Sequence, residues 1–75
     1  MENIRWGRRI RAFRKLKAIK QLDFAKRIGI STSILGQIER GTRVPTKEQL
    51  QTIASELHIE LDELLGEEKT KGKEE

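Results

Sequence analysis

Apolar residues recur along this chain at the three- and four-residue spacing of helices that bury one face. Trp6, Ile10 and Phe13 follow this spacing in the first segment, and they predict a helix over about residues 4–17. Gly7 makes this helix less stable by about 1 kcal/mol relative to alanine, a loss that a close contact with a neighbouring helix would compensate. The outer face is predicted to be basic, with Arg5, Arg8, Arg9, Arg11 and Lys15 near solvent.

Two shorter segments with the same periodicity follow, and a glycine and a serine separate them. The first opens at Gln21 and is predicted to end at Gly29, since glycine readily adopts the positive φ of a helix end. Ser31 can accept from exposed backbone N–H groups, so it predicts the N-cap of a helix from Thr32 to Glu39, with Gly41 as its stop. The apolar positions are Leu22, Phe24, Ala25 and Ile28 in the first segment and Ile34, Leu35 and Ile38 in the second.

Two further helices are predicted before a charged tail. Thr46 and Gln49 have the spacing of a capping box, in which each side chain satisfies an exposed backbone donor at a helix start. Residues 59–65 form a second apolar pattern, which Gly66 is expected to end. Residues 67–75 contain no hydrophobic side chain and cannot offset the entropy of ordering, so we expect a disordered tail. The buried stripe of the fourth helix is Leu50, Ile53, Ala54 and Leu57.

The pattern predicts one all-α domain of five helices over residues 1–66. A chain of 75 residues buries only about 60% of the surface that it exposes when unfolded, so a large catalytic cleft is not expected. The chain has no cysteine and a single histidine, His58, which argues against disulfides, metal clusters and metal cofactors. Neither a glycine-rich phosphate loop nor a catalytic dyad is evident. We therefore expect that the protein is not an enzyme and binds neither a cofactor nor a small-molecule ligand.

Charge is distributed unevenly along the chain. Residues 1–47 hold thirteen lysines and arginines against three acids, a net charge of +10, whereas residues 48–75 hold three lysines against nine acids, a net charge of −6. This asymmetry suggests that the first part faces a polyanion, although a solvated basic surface would have the same composition. No apolar run approaches the roughly 18 residues that cross a bilayer, so the expectation is a cytoplasmic protein without a membrane partner.

The outward face of the third predicted helix offers small or hydrogen-bonding residues at helical spacing. An α-helix fits the major groove of B-DNA, where each base pair presents its own pattern of donors and acceptors. Gln37 can pair with adenine through both atoms of its amide, and hydroxyl groups discriminate less between bases. The alternative is an ordinary polar surface helix. The candidates for reading base edges are Thr32, Ser33, Gly36 and Gln37.

The spacing of Gln21, Gly29, the run Glu39-Arg40-Gly41 and Pro45 resembles that of the phage repressor and Cro-like helix-turn-helix family, also called Xre-like. The resemblance implies a compact, five-helix, lambda-repressor-like domain with the helix-turn-helix at helices two and three. It also implies sequence-specific binding of double-stranded DNA by a transcriptional regulator. A repressor that binds a palindromic operator as a weak homodimer is the form we favour.

The resemblance assigns roles to particular residues. Gln21 would touch a phosphate and support the recognition helix, while Arg14 and Glu39 would form a buried ion pair. Two positions depart from the family pattern: Lys20 replaces a frequent serine or threonine cap, and Ala18 replaces a frequent glycine, which makes a left-handed turn costlier. The contacts to DNA phosphates are expected from Gln21, Ser31, Arg40, Thr42 and Arg43, with long-range attraction from Arg8, Arg9 and Arg11.

A surface that would join two copies is also expected. Candidates are the loop before helix four and helix five, although each leucine among them would equally complete the core. A second hypothesis keeps the fold but makes it a protein-interaction module, antitoxin-like or regulator-binding, with weak or no affinity for DNA. The dimer candidates are Val44, Leu61, Leu64 and Leu65.

Overall fold

Five α-helices make up the fold of residues 2–66, the part of the chain that the computed structural model describes. The predicted tail, residues 67–75, lies outside the described residues. The helices are α1 (Glu2–Leu16), α2 (Gln21–Ile28), α3 (Thr32–Arg40), α4 (Lys47–Leu57) and α5 (Leu61–Leu65). The fold class and the order of helices therefore agree with the sequence analysis.

The predicted caps set the ends of the helices. Ser31 Oγ accepts from the Ile34 amide at 3.0 Å, and Thr46 forms a complete capping box with Gln49. Lys20 precedes α2 without a side-chain cap in the described structure, as its replacement of a hydroxyl residue predicts. Because α2 ends at Gly29 with φ 76° and α3 begins at residue 32, only three residues separate these two helices.

The fifth helix is shorter than predicted, because residues 58–60 form the turn that separates α4 from α5. His58 ends α4 in the left-handed region at φ 60°, and the Ile59 amide donates back to Ala54 O at 3.1 Å. Glu60 is extended, and α5 begins only at residue 61. Ala18 also has φ 60°, so the turn after α1 is left-handed at a residue that disfavours it by roughly 1–2 kcal/mol.

One hydrophobic core receives side chains from all five helices. Ile10 of α1, Phe24 of α2 and Leu35 of α3 are fully buried within it, and Trp6 and Phe13 pack partly buried against it. Leu22 differs from the apolar pattern on which α2 was predicted, since 55% of its surface is exposed. The remaining core residues are Ala25, Ile38, Leu50, Ile53, Ala54, Leu57, Leu64 and Leu65.

Helices α1 and α3 approach each other closely at Gly7. A Cβ atom built on Gly7 would overlap the carbonyl oxygen of Ile38 and lie 2.6 Å from that of Glu39. Only a hydrogen atom fits in this space, so the backbone of α1 lies directly against the last turn of α3. This is the close helix contact that the sequence analysis considered as compensation for a glycine inside a helix.

We predict that Gly7→Ala lowers the free energy of unfolding by about 1–3 kcal/mol, because the added methyl group must push two backbones apart. Urea denaturation measures this change. Gly36→Ala in α3 is the matched control, since its Cβ would meet only side-chain atoms, the nearest being Arg40 Nη1. The control should keep the helix-propensity gain of up to about 1 kcal/mol. Equal effects of the two substitutions would contradict the role given to the close approach.

Candidate nucleic-acid interface

Helix α3 has one side in the core and the other directed away from it. Leu35, Ile38 and Glu39 are buried on the inner side, where α3 packs against α1 and α2. On the outer side Ser33 is exposed, and Thr32 and Gln37 are partly exposed. Three of the four residues predicted to read bases therefore have side chains that can reach a ligand outside the protein.

Gly36 has different surroundings from the other three predicted base-reading residues. It is buried, and a Cβ atom there would lie 3.2 Å from Arg40 Nη1 and 3.7 Å from Gln21 Nε2. The space above Gly36 is thus bordered by an arginine and a glutamine. The structure does not give Gly36 the exposure expected of a residue that meets base edges.

The loop after α3 holds Gln37 by three hydrogen bonds. The Thr42 amide and the Thr42 hydroxyl donate to Gln37 O at 2.9 and 3.2 Å, and Arg43 Nε donates to Gln37 Oε1 at 2.9 Å. The last contact leaves the Gln37 NH₂ group directed away from Arg43. Thr42 and Arg43, which the sequence predicts only as phosphate contacts, also position the main candidate for base reading.

A buried polar network fixes α3 to α1 and α2. Arg14 donates to both carboxylate oxygens of Glu39, at 2.7 and 3.1 Å, and the two side chains are only 8% and 2% exposed. Gln21 Nε2 donates to Glu39 Oε1 at 3.0 Å, and Arg14 Nη1 donates to Ile19 O at 2.8 Å. The structure thus contains the ion pair that the resemblance implies, and Gln21 connects α2 to α3 through Glu39.

Cationic side chains of α1 divide between two surfaces. Arg8, Arg11 and Lys15 line a cleft between α1 and α3, together with Gln21 and Arg40. We call this space the α1–α3 cleft. Its walls place five of the predicted basic or phosphate-directed residues next to one another.

Arg9 lies apart from that cleft. It was predicted to belong to the basic outer face of α1, but it binds within the fold. Its Nε donates to Leu64 O at 3.0 Å and its Nη2 donates to Glu63 O at 2.7 Å, so it satisfies carbonyl groups at the end of α5. The guanidinium carbon also lies 5.6 Å from the centre of the Phe13 ring. Arg9 is therefore a structural residue that joins α1 to α5.

The residues predicted to join two copies have unequal exposure. Val44 is 64% exposed in the loop before α4, and Leu61 is partly buried against the core. Leu64 and Leu65 are 0% and 8% exposed, and both belong to the core. Their apolar side chains complete the domain itself, which excludes these two leucines as contacts on the surface of the folded chain.

The remaining predicted phosphate contacts are accessible. Ser31 is exposed, and because its Oγ accepts from Ile34, the hydroxyl hydrogen is left to donate outward. Arg40 is exposed at the end of α3. Across residues 2–66 there is no group of three or more potential metal ligands, and no helix in this range is long and apolar enough to span a membrane.

Two helices joined by a three-residue turn, with the second presenting polar side chains outward, define a helix-turn-helix domain. The sequence profile of the helix-turn-helix family matches residues 10–64, and this chain belongs to that family of DNA-binding transcription regulators, which is not a family of enzymes.

Known proteins similar to this chain include regulators and repressors. It is 58% identical over 69 residues to the uncharacterized HTH-type transcriptional regulator YazB of Bacillus subtilis. The aligned region covers 92% of this chain and 100% of YazB. It is 38% identical over 62 residues to the immunity repressor protein of Bacillus phage phi105, covering 83% of this chain and 43% of the repressor.

A solved structure shows the same fold. The DNA-binding domain of the P22 c2 repressor, determined by nuclear magnetic resonance, matches with a TM-score of 0.78 at 32% identity. The match covers 91% of this chain and 90% of that domain. The five-helix, lambda-repressor-like architecture predicted from the sequence is thereby confirmed.

Three features of the candidate interface and its surroundings were not found in the sequence. They are the bond from Arg43 to Gln37, the position of Gly36 at the base of the cleft, and the binding of Arg9 to α5. Each depends on how separate helices or a loop meet, which helical periodicity does not report. The unusual glycine within the polar face of α3 was the only sequence signal of the second feature.

We predict that Arg14→Ala lowers the free energy of unfolding by about 3–5 kcal/mol, because it leaves the Glu39 carboxylate buried without its charge partner. Urea denaturation followed by circular dichroism measures the loss. Arg27→Ala is the matched control, since Arg27 is an exposed arginine of α2. The double variant Arg14→Met/Glu39→Leu should be more stable than Arg14→Ala, because no unpaired charge remains. A loss from Arg14→Ala as small as that of the control would contradict this role for the pair.

Proposed function

We propose that this protein is a sequence-specific transcriptional repressor that occupies a palindromic operator in double-stranded DNA, with α3 in the major groove. The observation that carries the proposal is the division of α3 into a buried inner side and an outer side bearing Thr32, Ser33 and Gln37. The relatedness to a phage immunity repressor supports repression as the mode of action. We place the protein in the cytoplasm, the compartment that holds the DNA of bacteria such as the source of YazB.

Gln37 is the residue to which we assign most of the base selectivity. With Arg43 Nε donating to Oε1, the Gln37 NH₂ group is free to donate, and Oε1 retains a second lone pair. An amide held in this way matches adenine, which accepts at N7 and donates from N6. The Thr32 and Ser33 hydroxyls contribute weaker discrimination, and the Thr32 methyl group can contact a thymine methyl.

Phosphate contacts supply the sequence-independent part of the affinity. Gln21 donates only one of its two amide hydrogens to Glu39, which leaves the other for a phosphate oxygen. Arg43 uses Nε for Gln37 and keeps its Nη groups, so one side chain can serve both a base-reading residue and the backbone. Ser31, Arg40 and Thr42 complete the proposed set.

One recognition helix contacts few base pairs, so we propose that two copies bind half-sites about 34 Å apart. The exposed side chain of Val44, with the partly buried Leu61, is what remains of the predicted contact after Leu64 and Leu65 are assigned to the core. Two candidate residues are consistent with a weak homodimer that forms fully only on DNA.

Selection from a random duplex pool tests the proposed function. We expect enrichment of a two-fold symmetric site whose halves lie one helical turn apart, and a binding constant that falls steeply as salt rises. Asymmetric sites would contradict the dimer alone. Absence of duplex binding even at low salt would reject the DNA-binding proposal and favour a protein-interaction module of the same fold.

A double-mutant cycle on Gln37 and Arg43 tests how bases are read. Gln37→Ala should cost about 1–3 kcal/mol on the selected site and little on random DNA. Arg43→Ala should weaken binding to every duplex and lower the salt slope by about 1. Because Arg43 also orients Gln37, the double variant should lose less on the selected site than the sum of the single losses.

Arg27→Ala serves as the control for removing an exposed arginine that has no contact with Gln37. An equal loss from Gln37→Ala on selected and random DNA would remove Gln37 from base reading. Strict additivity of the two substitutions would show that the bond from Arg43 does not act in the complex.

A further inference from the structure

A groove on the outer side of α1 exposes apolar side chains that the core of the domain does not cover. It is lined by Arg9, Ala12, Phe13 and Leu16, and we call it the α1 groove. Leu16 is 77% exposed, more than any other large hydrophobic residue in the described part of the chain. Ala12 is exposed as well, and Phe13 is only partly buried. A contiguous apolar surface with a polar rim is typical of an interaction site.

The groove follows one face of α1 that is directed away from α3. Its four lining residues stand at i, i+3, i+4 and i+7, so they are neighbours along two turns of the helix. The side of α1 that meets α3 is a different one, since Gly7 lies against the Ile38 carbonyl and Arg14 binds Glu39. A partner in the groove would therefore leave the outer side of α3 uncovered.

Contacts within the fold hold the walls of the groove in place. Arg9 donates to Glu63 O and Leu64 O, which fixes its side chain between α1 and the end of α5. Its guanidinium carbon lies 5.6 Å from the centre of the Phe13 ring. Because these side chains are already ordered, a partner would lose little conformational entropy by packing on them. A straight, preformed apolar face of this kind fits a helix that lies along it.

Unpaired cations border the groove on the side away from α5. Ala12 lines both the α1 groove and the α1–α3 cleft, where its neighbours are Arg8 and Lys15. Neither of these two side chains makes a hydrogen bond or an ion pair with any residue of the described chain. Residues 4–22 hold eight lysines and arginines and no acid. The charge that complements this edge of the groove is therefore negative.

The same charges argue against two other occupants. A second copy that laid its own α1 in the groove would bring another eight cations against the first eight, and like charges at an interface are unfavourable. An anionic membrane would attract the cations, but a helix that lies in a membrane surface needs an apolar face along its length. In this groove only Ala12 and Leu16 are exposed apolar residues. A protein partner with acidic side chains meets both requirements.

We propose that the α1 groove is a docking site for another protein, which binds through an amphipathic helix. Leucine or phenylalanine side chains of that helix pack on Ala12, Phe13 and Leu16, and its aspartates or glutamates face Arg8 and Lys15. This proposal goes beyond the proposed function and does not depend on it, since no residue of α3 lines the groove.

The probe for this site is a display library of helical peptides of about 18 residues, a length at which an isolated helix can form. The peptides are randomised at their surface positions and selected on the immobilised protein. We expect enrichment of peptides with leucine or phenylalanine at i, i+3 or i+4, and i+7, together with an excess of aspartate and glutamate. Enrichment of peptides without acidic residues, or of none at all, would overturn the proposal.

Two leucine variants then locate the bound peptide. The enriched peptide is labelled with fluorescein and titrated by fluorescence anisotropy against Leu16→Ser and against the control Leu22→Ser, which removes a 55% exposed leucine of α2. Leu16→Ser should weaken binding about tenfold or more, and the control should stay within about twofold. Both residues are exposed, so both variants should keep the urea unfolding midpoint of the unmodified protein. Equal losses would show that the peptide binds elsewhere.

A matched pair of double variants tests the charge of the partner. Arg8→Gln/Lys15→Gln removes the cations beside the groove, and Lys26→Gln/Arg27→Gln removes two exposed cations of α2. The first variant should weaken peptide binding several-fold more than the second at low salt, and the difference should shrink as salt rises. Equal effects at every salt concentration would overturn the acidic chemistry assigned to the partner.

Sedimentation velocity and vesicle binding test the other occupants. We expect Leu16→Ser to leave both the association state of the protein and its binding to phosphatidylglycerol vesicles unchanged. Loss of a dimer on this substitution would assign the groove to a second copy. Loss of vesicle binding would assign it to a lipid surface, and either result would overturn the proposal.

The peptide titrations contain no DNA, so this inference and the proposed function can fail separately. Leu16→Ser should bind the selected duplex as tightly as the unmodified protein does, because the groove contains no residue of α3 or of the 42–43 loop. A parallel loss of duplex and peptide affinity would show that the groove is not a separate surface and would overturn the proposal. Absence of peptide binding with intact duplex binding would leave the proposed function standing.

Discussion

The hydrogen-bonded ion pair between Arg14 and Glu39 is the constraint on which the position of α3 depends. Removing two charges from water costs several kcal/mol for each ion, and close pairing with further hydrogen bonds offsets that cost. Arg14 belongs to α1, Glu39 to α3 and the third partner, Gln21, to α2. One polar cluster thus connects the three helices that form the site. The direct backbone contact at Gly7 then sets how far α1 lies from α3.

Most of the fold could be predicted because its boundaries depend on local chemistry. Ser31 and Thr46 cap the helices that follow them, and Gly29 ends α2. Serine and threonine commonly begin helices and glycine commonly ends them, whatever the rest of the fold. The start of α5 could not be predicted, because His58 adopts the left-handed conformation and the Ile59 amide then donates to Ala54 O of α4. The choice between core and surface for Leu64 likewise depends on which helices pack above it.

The candidate site was predictable to the extent that it follows the spacing of one helix. Periodicity alone places Thr32 and Gln37 on the outward side of α3. The pairing of Arg14 with Glu39 came from the family resemblance, since residues 25 apart in sequence show no periodic relation. The bond between Arg43 and Gln37 forms across a turn, and the surroundings of Gly36 depend on two other helices. These contacts depend on how separate parts of the chain meet in the fold, which the spacing of residues does not determine.

The hydrogen bond from Arg43 Nε to Gln37 Oε1 has a consequence for how such domains diversify. Thr32 and Ser33 make no contribution to the core, so an exchange at either position leaves the scaffold intact. An exchange of Gln37 also removes the acceptor of Arg43. In descendants of this chain, residues 32 and 33 can therefore change singly, whereas residues 37 and 43 should change together.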